Sequence, residues 1–236
     1  MVNGDPTTAY VVRPATKGVY PGVILGFELF GTTPYIRATA DKIAAWGYVV
    51  IVPDFYHRSA PGISLLADDE GRKRGFELLH QLTRAHSLAD VHAAISYLKN
   101  EGCPSVGMVG LSVGGHIAYA AAAKLDIQAV AVCYAGWLPE TSFPISQPTP
   151  TLDLTPQIAG RNIHMLFIVG ENDTLIPTGQ QIQIQRALQS ADVKHDFVVY
   201  PGASHGFLCK ERPSYDQHSA NDAWSRIESM LARELT

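Results

Sequence analysis

A single serine stands between glycines in Gly110-Leu111-Ser112-Val113-Gly114, directly after the apolar run Val106–Leu111 and ahead of the alanine-rich stretch Gly114–Lys124. Packing gains nothing from serine at such a place. A sharp strand-to-helix turn that holds one hydroxyl out of the backbone presents a nucleophile, and glycines two residues to either side let strand and helix approach closely. The N-terminus of the following helix contributes free N–H groups and positive partial charge where an oxyanion would form. A serine hydroxyl is a poor nucleophile at neutral pH, so it needs a base, and the base needs an orienting acid. Both follow in the chain. Phe167–Pro177 ends an apolar run and offers Glu171 and Asp173 in an acidic turn, and Val198–Phe207 ends the next run and offers His205 between small residues. The order serine, acid, histidine, each in a loop after a separate strand, is the one that accompanies a glycine–serine elbow at the end of a sheet strand. Asp173, the last acid before Leu175-Ile176-Pro177, is taken as the partner of His205, with Glu171 capping the turn. The chemistry implied is acyl transfer through a serine ester. The short glycine–serine pattern by itself also describes an incidental turn, and a loop histidine is ordinarily only solvated; placement and order carry the reading. His116, on the helix after the turn, is expected to be structural or part of a pocket wall.

Strands and helices must bring these residues together. Continuous apolar, β-branched runs at Val23–Phe27, Tyr48–Val52, Val106–Leu111, Ala129–Tyr134, His164–Val169 and His195–Tyr200 have the form of strands buried on both faces of a parallel sheet. Helical stretches alternate with them at Tyr35–Trp46, about Gly71–Arg84, Ala89–Lys99, Gly114–Lys124, Gly179–Gln189 and Asp216–Arg233. This alternation predicts right-handed crossovers and one mostly parallel open sheet with helices on both faces. The expected organisation is a single domain over residues 1–236, with the Pro-, Ser- and Thr-rich segment 138–156 as a surface loop or flap. Ligands of such sheets bind at the carboxyl ends of the strands, where the serine lies.

The chain of 236 residues is long enough for one well-buried core, and a net charge of −4 with scattered basic residues argues against nucleic acid as partner. No apolar run approaches the length of a membrane span. The N-terminal stretch lacks the basic start and apolar region of a signal peptide. Three cysteines, Cys103, Cys133 and Cys209, are too widely spaced for a disulfide framework or a zinc site. A cytoplasmic protein, monomeric or homodimeric, with no metal and no cofactor is expected.

Together, Phe27–Gly31, Gly47–Arg58, Gly110–Tyr119, Gly170–Pro177 and Tyr200–Asp216 resemble, in order and over nearly the whole chain, landmarks of the dienelactone hydrolase family of α/β-hydrolases. The resemblance implies an oxyanion hole made by the backbone N–H groups of Leu29 and Val113, an acidic residue near the nucleophile at Glu28, and a substrate-binding arginine at Arg72. Two departures stand out. The family nucleophile is cysteine where this chain has Ser112; a thiol can be drawn to thiolate by a neighbouring charge, whereas a hydroxyl must hand its proton to His205 during attack. A second arginine of the family's carboxylate clamp falls on Cys209, and Arg212 is assigned to the structural tail. Glu28 is therefore expected to orient substrate or water rather than activate the nucleophile.

Bulky apolar groups in the loops, among them Phe30, Tyr35, Trp137 and Phe207, predict a pocket for a small, largely apolar ester or lactone. Two other outcomes share the same residues: resolution of the acyl-enzyme by another nucleophile or by cyclisation, and a non-catalytic small-ligand-binding protein.

Overall fold

The computed structural model describes residues 1–2 and 4–235. Seven strands form one sheet: β1 (Ala9–Val12), β2 (Gly22–Gly26), β3 (Val49–Pro53), β4 (Val106–Leu111), β5 (Ala129–Cys133), β6 (His164–Gly170) and β7 (His195–Tyr200), in spatial order β1-β3-β2-β4-β5-β6-β7. Only β1 runs antiparallel; it pairs with β3, and the other neighbours are parallel. Strands β2 to β6 are buried throughout, the physical reason for their unbroken apolar runs. β1 escapes the sequence pattern because it is a short, half-exposed edge strand with no all-buried signature.

Among the described residues there are seven α-helices: α1 (Pro34–Ala45), α2 (Asp69–Leu79), α3 (Arg84–Asn100), α4 (Val113–Lys124), α5 (Thr155–Ala159), α6 (Thr178–Ser190) and α7 (Gln217–Glu234). Side-chain caps set several of their starts. Thr33, Asp68, Thr83 and Asp216 each accept from a backbone N–H three residues on, satisfying an amide that the helix leaves unpaired. The Thr83 cap starts α3 at Arg84, and α2 has already ended at Leu79, where the sequence pattern expected one helix to run to residue 84 and the next to start at 89. None of the described helices is long and apolar enough to cross a membrane.

After β2 the chain turns first to β3 on one side and later to β4 on the other, so the sheet reverses direction between β2 and β4. Gly26 and Gly110 are register partners at their carboxyl ends. A ligand site belongs at this switch point. The segment 138–156 is more built than the expected surface loop or flap. It contains two 3₁₀ turns, Pro144–Ser146 and Thr151–Leu154, runs into α5, and buries Ile145, Ser146, Thr151, Leu152 and Leu154. Its Leu152 N–H donates to the Leu138 carbonyl at 2.8 Å, closing the segment on itself.

Candidate active site

Ser112 caps α4 with φ 53° and ψ −109°. A left-handed backbone costs a non-glycine residue of order 1–3 kcal/mol and persists only where its surroundings over-determine it. Here they do: the Ser112 N–H donates to the Cys133 carbonyl at 3.0 Å, and the Gly114 N–H donates to the Phe27 carbonyl at 2.8 Å. The flanking glycines are steric requirements. A methyl group on Gly110 would run into the Gly114 carbonyl, and one on Gly114 into the backbone of Gly26.

His205 Nε2 lies 2.9 Å from Ser112 Oγ, and His205 Nδ1 lies 2.8 Å from Asp173 Oδ2. A carboxylate can only accept, so Nδ1 carries the hydrogen and Nε2 accepts from the serine hydroxyl. The other Asp173 oxygen accepts from the Leu175 and Ile176 N–H groups at 2.9 and 3.2 Å, which locks the carboxylate in its turn. The Asp173 side chain is wholly shielded, while His205 is 15% exposed. The acid is thus withheld from water and the base opens onto the cleft. The edge contact with Tyr134, centroids 5.2 Å apart, backs the imidazole. Glu171, set aside in the sequence reading, accepts from the Gly202 N–H at 2.9 Å and braces the His205 loop from outside.

Val113 is the first residue of α4, so its N–H has no acceptor within the helix. Leu29 follows β2 next door. Its carbonyl accepts from the Tyr56 hydroxyl at 3.2 Å, and the Phe30 carbonyl accepts from the Leu65 N–H at 2.9 Å, so the peptide chain that carries the Leu29 amide is held at two points.

Glu28 lies behind the cleft rather than on it, which corrects the expectation of a substrate contact. Its carboxylate, 5% exposed, accepts from Arg212 Nη2 at 2.7 Å and from the Tyr134 hydroxyl at 3.2 Å. Burial pushes this carboxyl above its ordinary range, against the pull of Arg212 and His205. A buried carboxylate demands a cation, and Arg212 fills that need. Arg212 also stacks on Phe30, 4.8 Å from the ring centroid, and lines the cleft. The residue assigned to a structural tail therefore presents a second guanidinium at the cleft, from position 212 instead of 209. Cys209 is buried, and desolvation raises its thiol to about 11.

The cleft has a volume of about 390 Å³, within the range of small-molecule sites, and both Ser112 and His205 line it. Leu29, Phe30, Arg72 and Trp137 lie on its walls as the sequence suggested. Tyr35 and Phe207 do not. The Tyr35 hydroxyl donates to the Leu208 carbonyl at 2.8 Å from inside the core, and Phe207 is packed between Tyr134 and Tyr200. Both follow strand or loop ends, but the backbone there turns their rings inward. Besides Arg212, a wall residue not expected from the sequence is Phe76, on α2. It stacks with Phe143 and meets Trp137 edge-on, and it lies one helical turn beyond Arg72, the spacing that could have found it.

A model of the dienelactone hydrolase family matches residues 7–235. A Synechocystis protein named a carboxymethylenebutenolidase is 36% identical over 229 residues, covering 96% of this chain and 91% of its own length. A Bradyrhizobium protein named a 2-oxo-3-(5-oxofuran-2-ylidene)propanoate lactonase is 29% identical over 227 residues, covering 94% of this chain and 88% of its own. Among solved structures, a Klebsiella pneumoniae protein named as a dienelactone hydrolase superposes with a TM-score of 0.87 at 28% identity, covering 98% of this chain and 95% of that one.

Proposed function

The chain belongs to the dienelactone hydrolase family, hydrolases of ester and lactone bonds, and from that premise we propose that it works through a serine acyl-enzyme on a small lactone or ester with a flat body and an acidic group. The observation that carries the mechanism is the unbroken hydrogen-bonded chain from Ser112 through His205 to Asp173 at the edge of the cleft. Ser112 Oγ attacks the carbonyl carbon as His205 Nε2 takes its proton. The N–H groups of Val113 and Leu29 receive the negative charge that develops on the carbonyl oxygen. Asp173 holds the imidazole in the required tautomer and stabilises the imidazolium. The C–O bond then breaks, His205 returns the proton to the leaving oxygen, and in a lactone that oxygen remains tethered to the acyl group. Water, deprotonated by His205, releases the acid and restores Ser112.

The serine makes thiolate activation unnecessary, and Glu28 is already committed to Arg212. The substrate class rests on the walls. Trp137 and Phe76 offer aromatic faces and edges to a planar body, while Arg72 and Arg212 offer guanidinium groups suited to a carboxylate. This moves the reading away from a largely apolar substrate, and the two relatives' names, a carboxymethylene butenolide and a propanoate lactone, agree with it.

The test is hydrolysis of p-nitrophenyl acetate with parallel labelling by a fluorophosphonate probe. Ser112→Ala is expected to lose several powers of ten in kcat and all labelling while retaining its melting temperature. Undiminished hydrolysis by that variant would remove Ser112 from the mechanism.

A further inference from the structure

His116 is fully buried on α4, one turn beyond Ser112, with its own N–H donating to the Ser112 carbonyl at 3.0 Å. Its two ring nitrogens make different bonds. Nδ1 is 2.8 Å from the Gly136 carbonyl, and Nε2 is 2.7 Å from Thr151 Oγ1. A carbonyl only accepts, so Nδ1 carries the hydrogen; Nε2 then accepts from the Thr151 hydroxyl. Thr151 Oγ1 in turn accepts from Arg84 Nη2 at 3.0 Å, and Arg84 also donates to the Ile145 and Thr149 carbonyls. Both His116 ring nitrogens and the Thr151 hydroxyl are partnered when the imidazole is neutral, and burial lowers His116 to about 4.

The peptide so tethered is the one before Trp137. Trp137 has φ 59°, a conformation that a bulky residue holds only under external restraint. Its carbonyl accepts from the Glu140 N–H at 3.2 Å and from Ser146 Oγ at 3.3 Å, so the residue is clamped on both sides. Its indole faces the cleft and meets Phe76 and Phe143 edge-on. The helix that begins at the nucleophile therefore also holds the aromatic wall. A role in packing alone would be served as well by leucine, which could not donate to Gly136.

We propose that His116 is a positioning residue for substrate recognition: by tying the Gly136–Trp137 peptide to α4, it sets the distance between Ser112 and the aromatic side of the cleft. This rests on the hydrolase reading above and deepens it.

Asparagine and glutamine separate the two bonds. His116→Asn places an amide nitrogen near the Nδ1 position and can keep the Gly136 bond; His116→Gln reaches toward Thr151 and gives that bond up. Both are made in a background where Trp46→Phe and Trp224→Phe leave Trp137 as the one tryptophan of the three. His116→Gln is expected to raise the ratio of KM for p-nitrophenyl benzoate to KM for p-nitrophenyl acetate about five-fold, the net worth of one hydrogen bond. It is also expected to shift Trp137 emission to longer wavelength. His116→Asn is expected to keep both closer to the parent. Equal KM ratios and equal emission in the two variants would overturn the proposal. If His116→Gln does not fold, Thr151→Val, which leaves the Gly136 bond intact, is expected to keep the parent ratio and emission; a raised ratio would place the anchor at Thr151 instead and overturn the proposal equally. Emission does not depend on turnover. A parent protein inactive on both esters would refute the hydrolase reading and leave the emission contrast to decide the role of His116.

Discussion

Lowering the pH should expose the cost of charging His116. The imidazole is fully buried, its ordinary value is 6.5, and burial lowers it to about 4. Because the folded-state value is depressed, the unfolded chain binds the proton first as the pH falls. The stability associated with a neutral His116 is complete above about 6.5, declines between there and 4, and changes no further below. A shift of this size is worth about 3 kcal/mol in full, of which about 2 kcal/mol is already lost by pH 5. For a chain of this length that corresponds to roughly 4–8 °C in Tm. The assay is urea unfolding and thermal melting of the wild type and of His116→Asn at pH 7, 6 and 5, compared as losses from each protein's own pH 7 value. Other shifted groups cancel in that comparison, including Glu28, which burial raises and which therefore stabilises increasingly as the pH falls. The wild type is expected to lose about 2 kcal/mol more than the variant between pH 7 and 5. Parallel declines would refute the assignment of a neutral, fully bonded imidazole to this position.

Asp173→Asn keeps an oxygen for the Leu175 and Ile176 amides but removes the charge behind His205; kcat for p-nitrophenyl acetate should fall by about 10³–10⁴ with little change in KM, and a loss under ten-fold would demote the acid. Gly114→Ala pushes a methyl group into the backbone of Gly26, so a lower Tm or loss of soluble protein is expected, and an unchanged melting curve would show that the elbow has slack. Arg72→Gln should raise KM for a carboxylate-bearing aryl ester about ten-fold more than for the neutral acetate, a difference that shrinks with added salt; equal changes for both esters would refute an anion-binding role.

Much of this protein is written in local pattern. Strands covered on both faces run apolar almost without a break, so β2 to β6 announce themselves. An elbow that brings strand and helix together needs glycine at Gly110 and Gly114, and the partners of its serine must follow in a fixed order on later loops. Those constraints act within a few residues of chain, and one sequence suffices to read them. β1 was illegible because four half-exposed residues at a sheet edge carry too little pattern, whereas β7, half-exposed at the other edge, keeps an apolar run long enough to show.

What a single sequence could not decide is where side chains point after the loops close. Phe207 and Arg212 lie in the same loop, yet the backbone turns the phenyl ring into the core and the guanidinium onto the cleft, where it answers the buried charge of Glu28 from the far side of the chain. Likewise the bond from His116 to Gly136 and the reach of Arg84 to residues 145–151 join segments remote in sequence. Chemistry that depends on neighbours along the chain is encoded locally. Pairing between distant charges, and the choice between core and cleft, is settled only when packing brings buried polar groups against partners from elsewhere in the chain.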